Sequence, residues 1–131
     1  MWTYDQLSGA LGKDGQQVAT GGYSGFGQGK NNPDMENVPD VGPIPRGIYD
    51  IGPIHDTTTH GPHVMALTPE PGTDTLGRDG FLIHGDSVEN PGTASHGCII
   101  LPRTVRDQIS ASGDTQIQVV CAAEAPAGAA E

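Results

Sequence analysis

The chain has 131 residues, a length that suits one folded domain. Only 25 residues are Leu, Ile, Val or Phe, whereas 20 are Gly and 11 are Pro, and the formal net charge is −10. Six Lys and Arg residues against sixteen Asp and Glu argue against nucleic-acid binding and against an anionic-membrane anchor. No apolar stretch is long enough to insert across a bilayer, and the first residues lack the basic start and apolar segment of a signal peptide.

Short apolar runs between Gly and Pro residues predict a series of β-strands. Residues 2–7 alternate and predict the first strand, and Asp14-Gly15 predicts a tight turn, so residues 2–20 are expected to form a hairpin. Residues 21–45 are rich in Gly and Pro and show almost no periodicity. They predict a long loop that either lines or covers a substrate site or is a plain surface loop.

One helix is predicted at residues 102–111, because Pro102 suits a first turn, Val105 and Ile109 lie four residues apart, and Gly113 stands at the expected stop. The fold class is therefore mainly β with one short helix. We expect a single domain over residues 1–121 and a disordered tail over residues 122–131. Further strands are expected at residues 48–51, 63–68, 80–84 and 115–120, with another apolar run ending the segment 96–101.

The segment from His84 to Cys98 carries the groups that a cysteine nucleophile needs. His84 ends a predicted strand, and Ser95, His96 and Gly97 directly precede Cys98. An imidazole can take the thiol proton, and the glycine leaves the N–H groups of Gly97 and Cys98 accessible to a substrate carbonyl. All five histidines precede Cys98, and this order excludes a papain-like peptidase.

The residues alone leave several alternatives open. Cys98 and Cys121 could form a disulfide, or Cys98 could be reactive and Cys121 buried, or both thiols could be inert. The preceding Ser-His-Gly favours a reactive Cys98, and the lack of such neighbours favours an inert Cys121. His84 could instead be held by the backbone at a strand end, and His96 is equally consistent with a structural and a catalytic role.

Ser95-His96-Gly97-Cys98 after an upstream His84 resembles the catalytic signature of L,D-transpeptidases of the YkuD-like fold. Residues 42–51 resemble that family's Pro-x-Gly-x-Tyr-x-Ile strand. The chain is most similar to the L,D-transpeptidase-like effectors of type VI secretion, over roughly residues 2–120. They share Trp2-x-Tyr4-x-Gln6, Gly22-Tyr23-Ser24-Gly25, Asn31-Asn32-Pro33, and Gly97-Cys98-Ile99 followed by Pro102-Arg103.

The resemblance implies a β-sandwich or barrel-like fold with a helix after the catalytic cysteine. The implied enzyme acts on peptidoglycan stem peptides without a cofactor, as an L,D-carboxypeptidase or an L,D-transpeptidase that exchanges terminal D-Ala. Cys98 is then the nucleophile and His84 the base, Gly97 and Cys98 bind the oxyanion, and Ser95 and His96 shape the loop. A short interval from His84 to Ser95 indicates a reduced lid, and Ile100 stands where those enzymes carry a polar residue.

The same resemblance implies where the protein is made, how it is delivered and where it acts. Such effectors are made in the cytoplasm without a signal peptide, are delivered by a contact-dependent secretion machine and act in the periplasm of a target bacterium. The expected partners are therefore the type VI secretion machinery and a cognate periplasmic immunity protein, with neither nucleic acid nor membrane insertion involved.

Five residues are candidates for a role in or beside the substrate site. Tyr23 belongs to the glycine-rich loop, and Arg46 and Arg103, like Arg78, are possible clamps for a substrate carboxylate in a chain with few cations. Asp86 could orient His84, although a carboxylate in a Gly-rich loop is more often a turn residue.

Two rival functions remain open. His55, His60 and His63, with His84, invite a zinc-dependent hydrolase, although neither a Cys-x-x-Cys pair nor a His-Glu-x-x-His helix is present. The other rival is a non-catalytic module that binds the cell wall.

Overall fold

The computed structural model describes residues 1–121, and within them the fold is mainly β with one α-helix, as predicted. The strands and the helix in chain order are β1 Trp2–Asp5, β2 Leu11–Lys13, β3 Gln16–Ala19, β4 Tyr23–Ser24, β5 Gly47–Ile51, β6 Met65–Pro69, β7 Leu82–His84, β8 Ile99–Ile100, α1 Arg103–Ser112 and β9 Gln116–Val120. The expected tail at residues 122–131 lies outside the described residues.

The strands of the described region join in one curled sheet with the order β3-β2-β1-β9-β5-β6-β7-β8-β4. Most neighbours are antiparallel, but β1 pairs with β9, and β7 with β8, in parallel. Inward-facing residues of the strands and of α1 form one continuous hydrophobic core, in which Tyr4, Tyr49, Ile83, Ile99 and Ile117 are fully buried.

The N-terminal segment differs from the predicted hairpin. The first strand ends at Asp5, and residues 2–19 form three antiparallel strands, β1, β2 and β3. The predicted Asp14-Gly15 turn joins β2 to β3, with φ of 52° and 83° at its two residues. An additional turn containing Gly9, with φ of 75°, joins β1 to β2. The alternation of residues 2–7 predicts one continuous strand and gives no sign of this second turn.

The Gly/Pro-rich segment 21–45 is folded against the sheet. It contributes the short strand β4, which pairs with β8, and two 3-10 turns, Gly27–Gly29 and Pro33–Met35. The hydroxyl of Ser24 is buried, donates to the Gly97 carbonyl at 3.0 Å and accepts from the Ile44 N–H at 2.9 Å. One side chain thus joins the start and end of this segment to the residues beside Cys98.

The helix follows the prediction closely. Pro102 stands just before its first residue, and Gly113 ends it in the left-handed conformation with φ of 73°. Val105 and Ile109 contribute to the core. Of the helices among residues 1–121, none is long and apolar enough to span a membrane.

We predict that Ser24→Ala lowers the free energy of unfolding by about 1–3 kcal/mol, because it leaves the buried Ile44 N–H and Gly97 carbonyl without their partner. Urea denaturation monitored by circular dichroism measures the change. Ser110→Ala, on the exposed face of α1, is the matched control. Alanine is the better helix former there, so this variant is expected to be neutral or slightly stabilised. An equal loss in both variants would contradict the bridging role of Ser24.

Candidate active site

The parallel pairing of β7 with β8 brings the backbone of Cys98 near that of His84. Ile83 pairs with Ile99 and points into the core, so the side chains on either side of them point to the opposite face. Cys98 stands one residue before Ile99, and His84 one residue after Ile83. Extended spacing continued for one residue before β8 would put their Cα atoms about 8 Å apart. A cysteine and a histidine side chain can meet across this distance.

The hydrogen bonding of His84 defines its tautomer. The ring is buried, and Nδ1 lies 2.8 Å from the Gly85 carbonyl oxygen. A carbonyl only accepts, so Nδ1 carries the hydrogen and Nε2 of the neutral ring has a free lone pair. Burial lowers the pKa of His84, opposed by the Gly85 hydrogen bond and reinforced by His60 and Arg106. His84 is therefore neutral near pH 7 and suited to accept a proton at Nε2.

The thiol of Cys98 is also uncharged at rest. Burial raises its pKa above the ordinary value, while a hydrogen bond from the Leu82 backbone and the charge of Arg78 lower it. The resting pair is thus a thiol and a neutral imidazole. The proton must leave sulfur during attack on a substrate.

Ser95 fixes the backbone around the sulfur. Its buried hydroxyl donates to the Cys98 carbonyl at 2.5 Å and accepts from the N–H groups of Gly25 and Gly97, at 2.8 and 3.2 Å. This supports the loop-shaping role expected for Ser95. The Gly97 N–H already donates to the Ser95 hydroxyl. Its contribution to an oxyanion site therefore stays a prediction, and it requires this hydrogen bond to break.

Arg78 lies buried behind the nucleophile loop. Its Nη1 donates to the carbonyls of Glu36 and Pro43, and its Nη2 to those of Gly42 and His96, at 2.6 to 3.3 Å. The guanidinium therefore joins segment 21–45 to the residue two before Cys98. Because these bonds occupy both terminal nitrogens, Arg78 supports the site as a buried cation rather than as the substrate clamp that the sequence suggested.

Gly97 has no room for a side chain. Its φ is 127°, and a Cβ atom there would lie 2.5 Å from Nη2 of Arg78. The glycine thus lets the arginine approach the nucleophile loop.

His96 lies at the surface of the site. Its ring is exposed, stacks on Phe26 with centroids 5.2 Å apart, and donates from Nδ1 to the Asp40 carbonyl at 3.1 Å. Its own carbonyl accepts from Arg78. These contacts support a structural role, and a direct catalytic role for this ring stays a prediction.

Two adjoining clefts open over these residues. The smaller, of about 280 Å³, contains Cys98 and Arg78, and the larger, of about 880 Å³, contains His84. His60 and His96 line both. His60 lies in the loop between β5 and β6, with its ring centroid 4.9 Å from that of His84. A bound peptide that joins the clefts would pass these two histidines.

Tyr23 and Asp86 form a hydrogen-bonded edge of the larger cleft. The Tyr23 hydroxyl donates to Asp86 at 2.5 Å and accepts from the Ala94 N–H, and Lys30 lies over the ring. Burial, followed by the bond to Asp86, raises the pKa of Tyr23 to about 12. Asp86 also accepts from the N–H groups of Ser87 and Gly92, as a turn residue does. His84 Nδ1 bonds to the Gly85 carbonyl, so Asp86 does not orient the ring through this nitrogen. Substrate binding by Asp86, which lines the larger cleft, stays a prediction.

The two remaining predicted clamps lie in different surroundings. Arg46 is paired with Glu36, through bonds from both its side chain and its backbone, and lines neither cleft. Arg103 lines the larger cleft, where its Nη2 lies 2.7 Å from Nε2 of His63. Substrate binding stays a prediction for both, with better placement for Arg103.

The histidines proposed for zinc do not gather. His63 bonds to Asp107, and His55 to the Pro53 carbonyl, whereas His60 lies beside His84. Residues 1–121 contain no cluster of three potential metal ligands, so the zinc alternative is not supported by the fold. Both cysteines are free thiols, Cys98 half-buried and Cys121 buried.

The sequence does not predict that His60 lies beside His84. No motif surrounds it in its Thr/Gly/Pro stretch, so the sequence favours only a zinc ligand or a solvated histidine. Its place beside His84 depends on how the β5–β6 loop folds over the sheet, and no local signal encodes this.

Comparison with known proteins adds one finding. The model of a family described as the Tlde1 domain, a name given to type VI secretion L,D-transpeptidase effectors, matches residues 18–122. No curated protein and no solved structure matches the chain.

We predict that Cys98 is alkylated slowly near neutral pH and progressively faster as the pH rises past 9, because its raised pKa keeps the thiol protonated. Iodoacetamide labelling followed by peptide mapping separates Cys98 from Cys121. A cysteine in an unstructured peptide is the reference and should react faster at pH 7. A rate that is already maximal between pH 5 and pH 7 would indicate a preformed thiolate–imidazolium pair and contradict this prediction.

Removing the charge of Arg78 should raise the thiol pKa further. We predict that the labelling curve of Arg78→Gln shifts to higher pH, whereas Arg78→Lys shifts less because the charge remains. Lys13→Gln removes one positive charge from β2, where Lys13 pairs with Asp114, and should leave the curve unchanged. Equal labelling curves for wild type and Arg78→Gln would show that the charge of Arg78 does not affect the pKa of the Cys98 thiol.

Proposed function

Because the chain belongs to the Tlde1 domain family, we propose that it is a cysteine enzyme that modifies peptidoglycan stem peptides as an antibacterial type VI secretion effector. The observation that supports the chemistry is the pairing of Ile83 with Ile99, because His84 directly follows the first residue and Cys98 directly precedes the second. The neutral His84 ring carries its hydrogen on Nδ1, which leaves the lone pair of Nε2 for a proton. A nucleophile beside a base of this kind is the minimal apparatus of acyl transfer.

In the first half-reaction, sulfur attacks the carbonyl that joins the L-centre of diaminopimelate to terminal D-Ala. A C–S bond forms as the S–H proton passes to Nε2 of His84. The C–N bond of the tetrahedral intermediate then breaks, the nitrogen takes the proton back from His84, and D-Ala leaves. The stem peptide remains on Cys98 as a thioester.

In the second half-reaction, an acceptor attacks the thioester. Water gives its proton to His84, the C–S bond breaks, and the trimmed peptide leaves as an acid while the thiol is re-protonated. This completes an L,D-carboxypeptidase cycle. A D-amino acid or a neighbouring stem amine in place of water gives exchange or a cross-link, which is L,D-transpeptidase chemistry. Either acceptor needs the same Cys98 and His84.

Because the Cys98 thiol and the His84 imidazole are both neutral at rest, His84 takes the thiol proton during the attack rather than before it. Both groups are kept uncharged chiefly by burial. An ion pair that forms only in the transition state is stabilised there by the Arg78 charge on the thiolate side. The buried cation thus favours the reacting state over the ground state.

The effector role follows from the family rather than from the site. Delivery by type VI secretion, action in the periplasm of the target and neutralisation by a cognate immunity protein are proposed on this ground.

We predict that Cys98→Ala and His84→Ala each abolish turnover of tetrapeptide muropeptides, and abolish toxicity when the protein is directed to the periplasm. Mass spectrometry of muropeptides after incubation with pure protein measures the reaction. Loss of D-Ala marks trimming, and replacement of D-Ala by an added D-amino acid marks exchange.

His55→Ala is the matched control, because His55 lines neither cleft and should leave turnover intact. Full toxicity of Cys98→Ala would favour the alternative of a non-catalytic module that binds the cell wall. Turnover that survives in His84→Ala at the wild-type rate would assign the base elsewhere.

A further inference from the structure

Arg106 of α1 is a buried cation in the wall of the larger cleft. Its side chain is 6% exposed. Nε donates to the Leu101 carbonyl at 3.1 Å, and Nη1 donates to the carbonyls of Pro62 and His63, each at 2.8 Å. These bonds hold the head group in place and tie the β5–β6 loop, which carries His60, to the helix.

The remaining terminal nitrogen of Arg106 has no partner within residues 1–121. Nη2 makes no hydrogen bond there, and a Cβ atom built on Gly85 would lie only 2.8 Å from it. Gly85 follows His84 and lines the same cleft. Within residues 1–121 the fully buried side-chain atoms without a partner are Tyr4 Oη and Gln6 Oε1, so Nη2 is open to the cleft. A donor that is held in place, open to a cleft and unused indicates a ligand acceptor.

The charges around Arg106 indicate which kind of ligand group would accept a hydrogen bond from Nη2. The acceptors that hold it are neutral carbonyls, and its pKa is lowered by burial. The chain carries a net charge of −10, yet Arg103 also lines this cleft and Arg78 lines the adjoining one. Half of the six Lys and Arg residues thus lie at the two clefts, where the carboxylates are Asp86 in the larger cleft and Asp40 and Asp79 in the smaller. The larger cleft therefore has two guanidinium groups against one carboxylate. A planar guanidinium with an unused nitrogen matches a carboxylate.

We propose that Nη2 of Arg106 binds a carboxylate of the stem peptide, and thereby selects peptides with a free acid at this place in the cleft. The inference rests on the proposed function. Gly85 separates Arg106 from His84, the group that returns a proton to the leaving amine. In a stem that ends in D-Ala, the terminal carboxylate is two bonds from that amine, so it is the nearest acid to Arg106. Arg106 would then favour trimming of chain ends over cleavage within longer peptides.

Binding to the Cys98→Ala protein tests this without turnover. Isothermal titration calorimetry would compare three synthetic stem tetrapeptides, namely one with free acids, one with a C-terminal amide and one amidated at diaminopimelate. We expect the C-terminal amide to bind roughly 10- to 100-fold more weakly than the acid, the range for losing a hydrogen bond between charged groups. If only the diaminopimelate amide binds more weakly, Arg106 holds that carboxylate instead. Equal affinities for all three peptides would overturn the proposal.

The residue is tested by substitution in the same background. Arg106→Gln should reduce the acid-to-amide ratio of dissociation constants to about one, and Arg106→Lys should give an intermediate ratio because the charge remains. Lys13→Gln, which changes the net charge equally at a distance from both clefts, should keep the wild-type ratio. Because Arg106 also supports the β5–β6 loop, thermal denaturation checks folding, and Arg106→Lys carries the test if Arg106→Gln does not fold. A wild-type ratio in a folded Arg106 variant would overturn the assignment.

Failure of this inference is distinguishable from failure of the proposed function. Turnover of muropeptides with no acid-to-amide preference would overturn the role of Arg106 and leave the enzyme intact. Selective binding of the acid without any turnover would support the carboxylate site and count against the enzyme. Absence of both selective binding and turnover would overturn both proposals.

Discussion

The parallel pairing of β7 with β8 is the constraint on which the site depends. It connects two strands that are separated by a loop of fourteen residues and sets Ile83 opposite Ile99. Because both isoleucines are fully buried, a shift of one residue in β7 would put Leu82 or His84 at the core position of Ile83. The same pairing fixes which residues leave the core face. The hydrophobic core therefore determines the register that sets how far apart Cys98 and His84 lie along the sheet.

The backbone around Cys98 is held by buried polar groups from distant parts of the chain. Ser24, Arg78 and Ser95 together satisfy backbone groups of segment 21–45 and of the nucleophile loop. Unpaired backbone groups are costly in a protein interior, so each of these bonds restricts the positions that the loop can adopt. The glycine-rich segment thus forms part of the site's support as well as its rim. An orienting framework of this kind keeps a nucleophile in place before substrate binds.

The clefts are less acidic than the chain as a whole. Three of the six cations line them, against three carboxylates, Asp40, Asp79 and Asp86. Burial keeps the thiol and the imidazole neutral, while Arg78 and Arg106 are charged behind them. Negative charge on a substrate or on a reacting sulfur is therefore favoured next to these guanidinium groups, although the protein as a whole repels anions.

The sequence by itself determined the class of fold, the helix at Arg103–Ser112 and the proximity of Ser95, His96 and Gly97 to Cys98, because strand periodicity, helix stops and adjacent residues are local properties. It did not determine the third N-terminal strand, the position of His60 or the partners of Asp86 and Arg78. Each of these depends on contacts between segments far apart in the chain, and nothing in a local pattern records which carbonyl or ring a side chain will reach. Only the packed sheet, which brings the β5–β6 loop and segment 21–45 onto one face, decided those contacts.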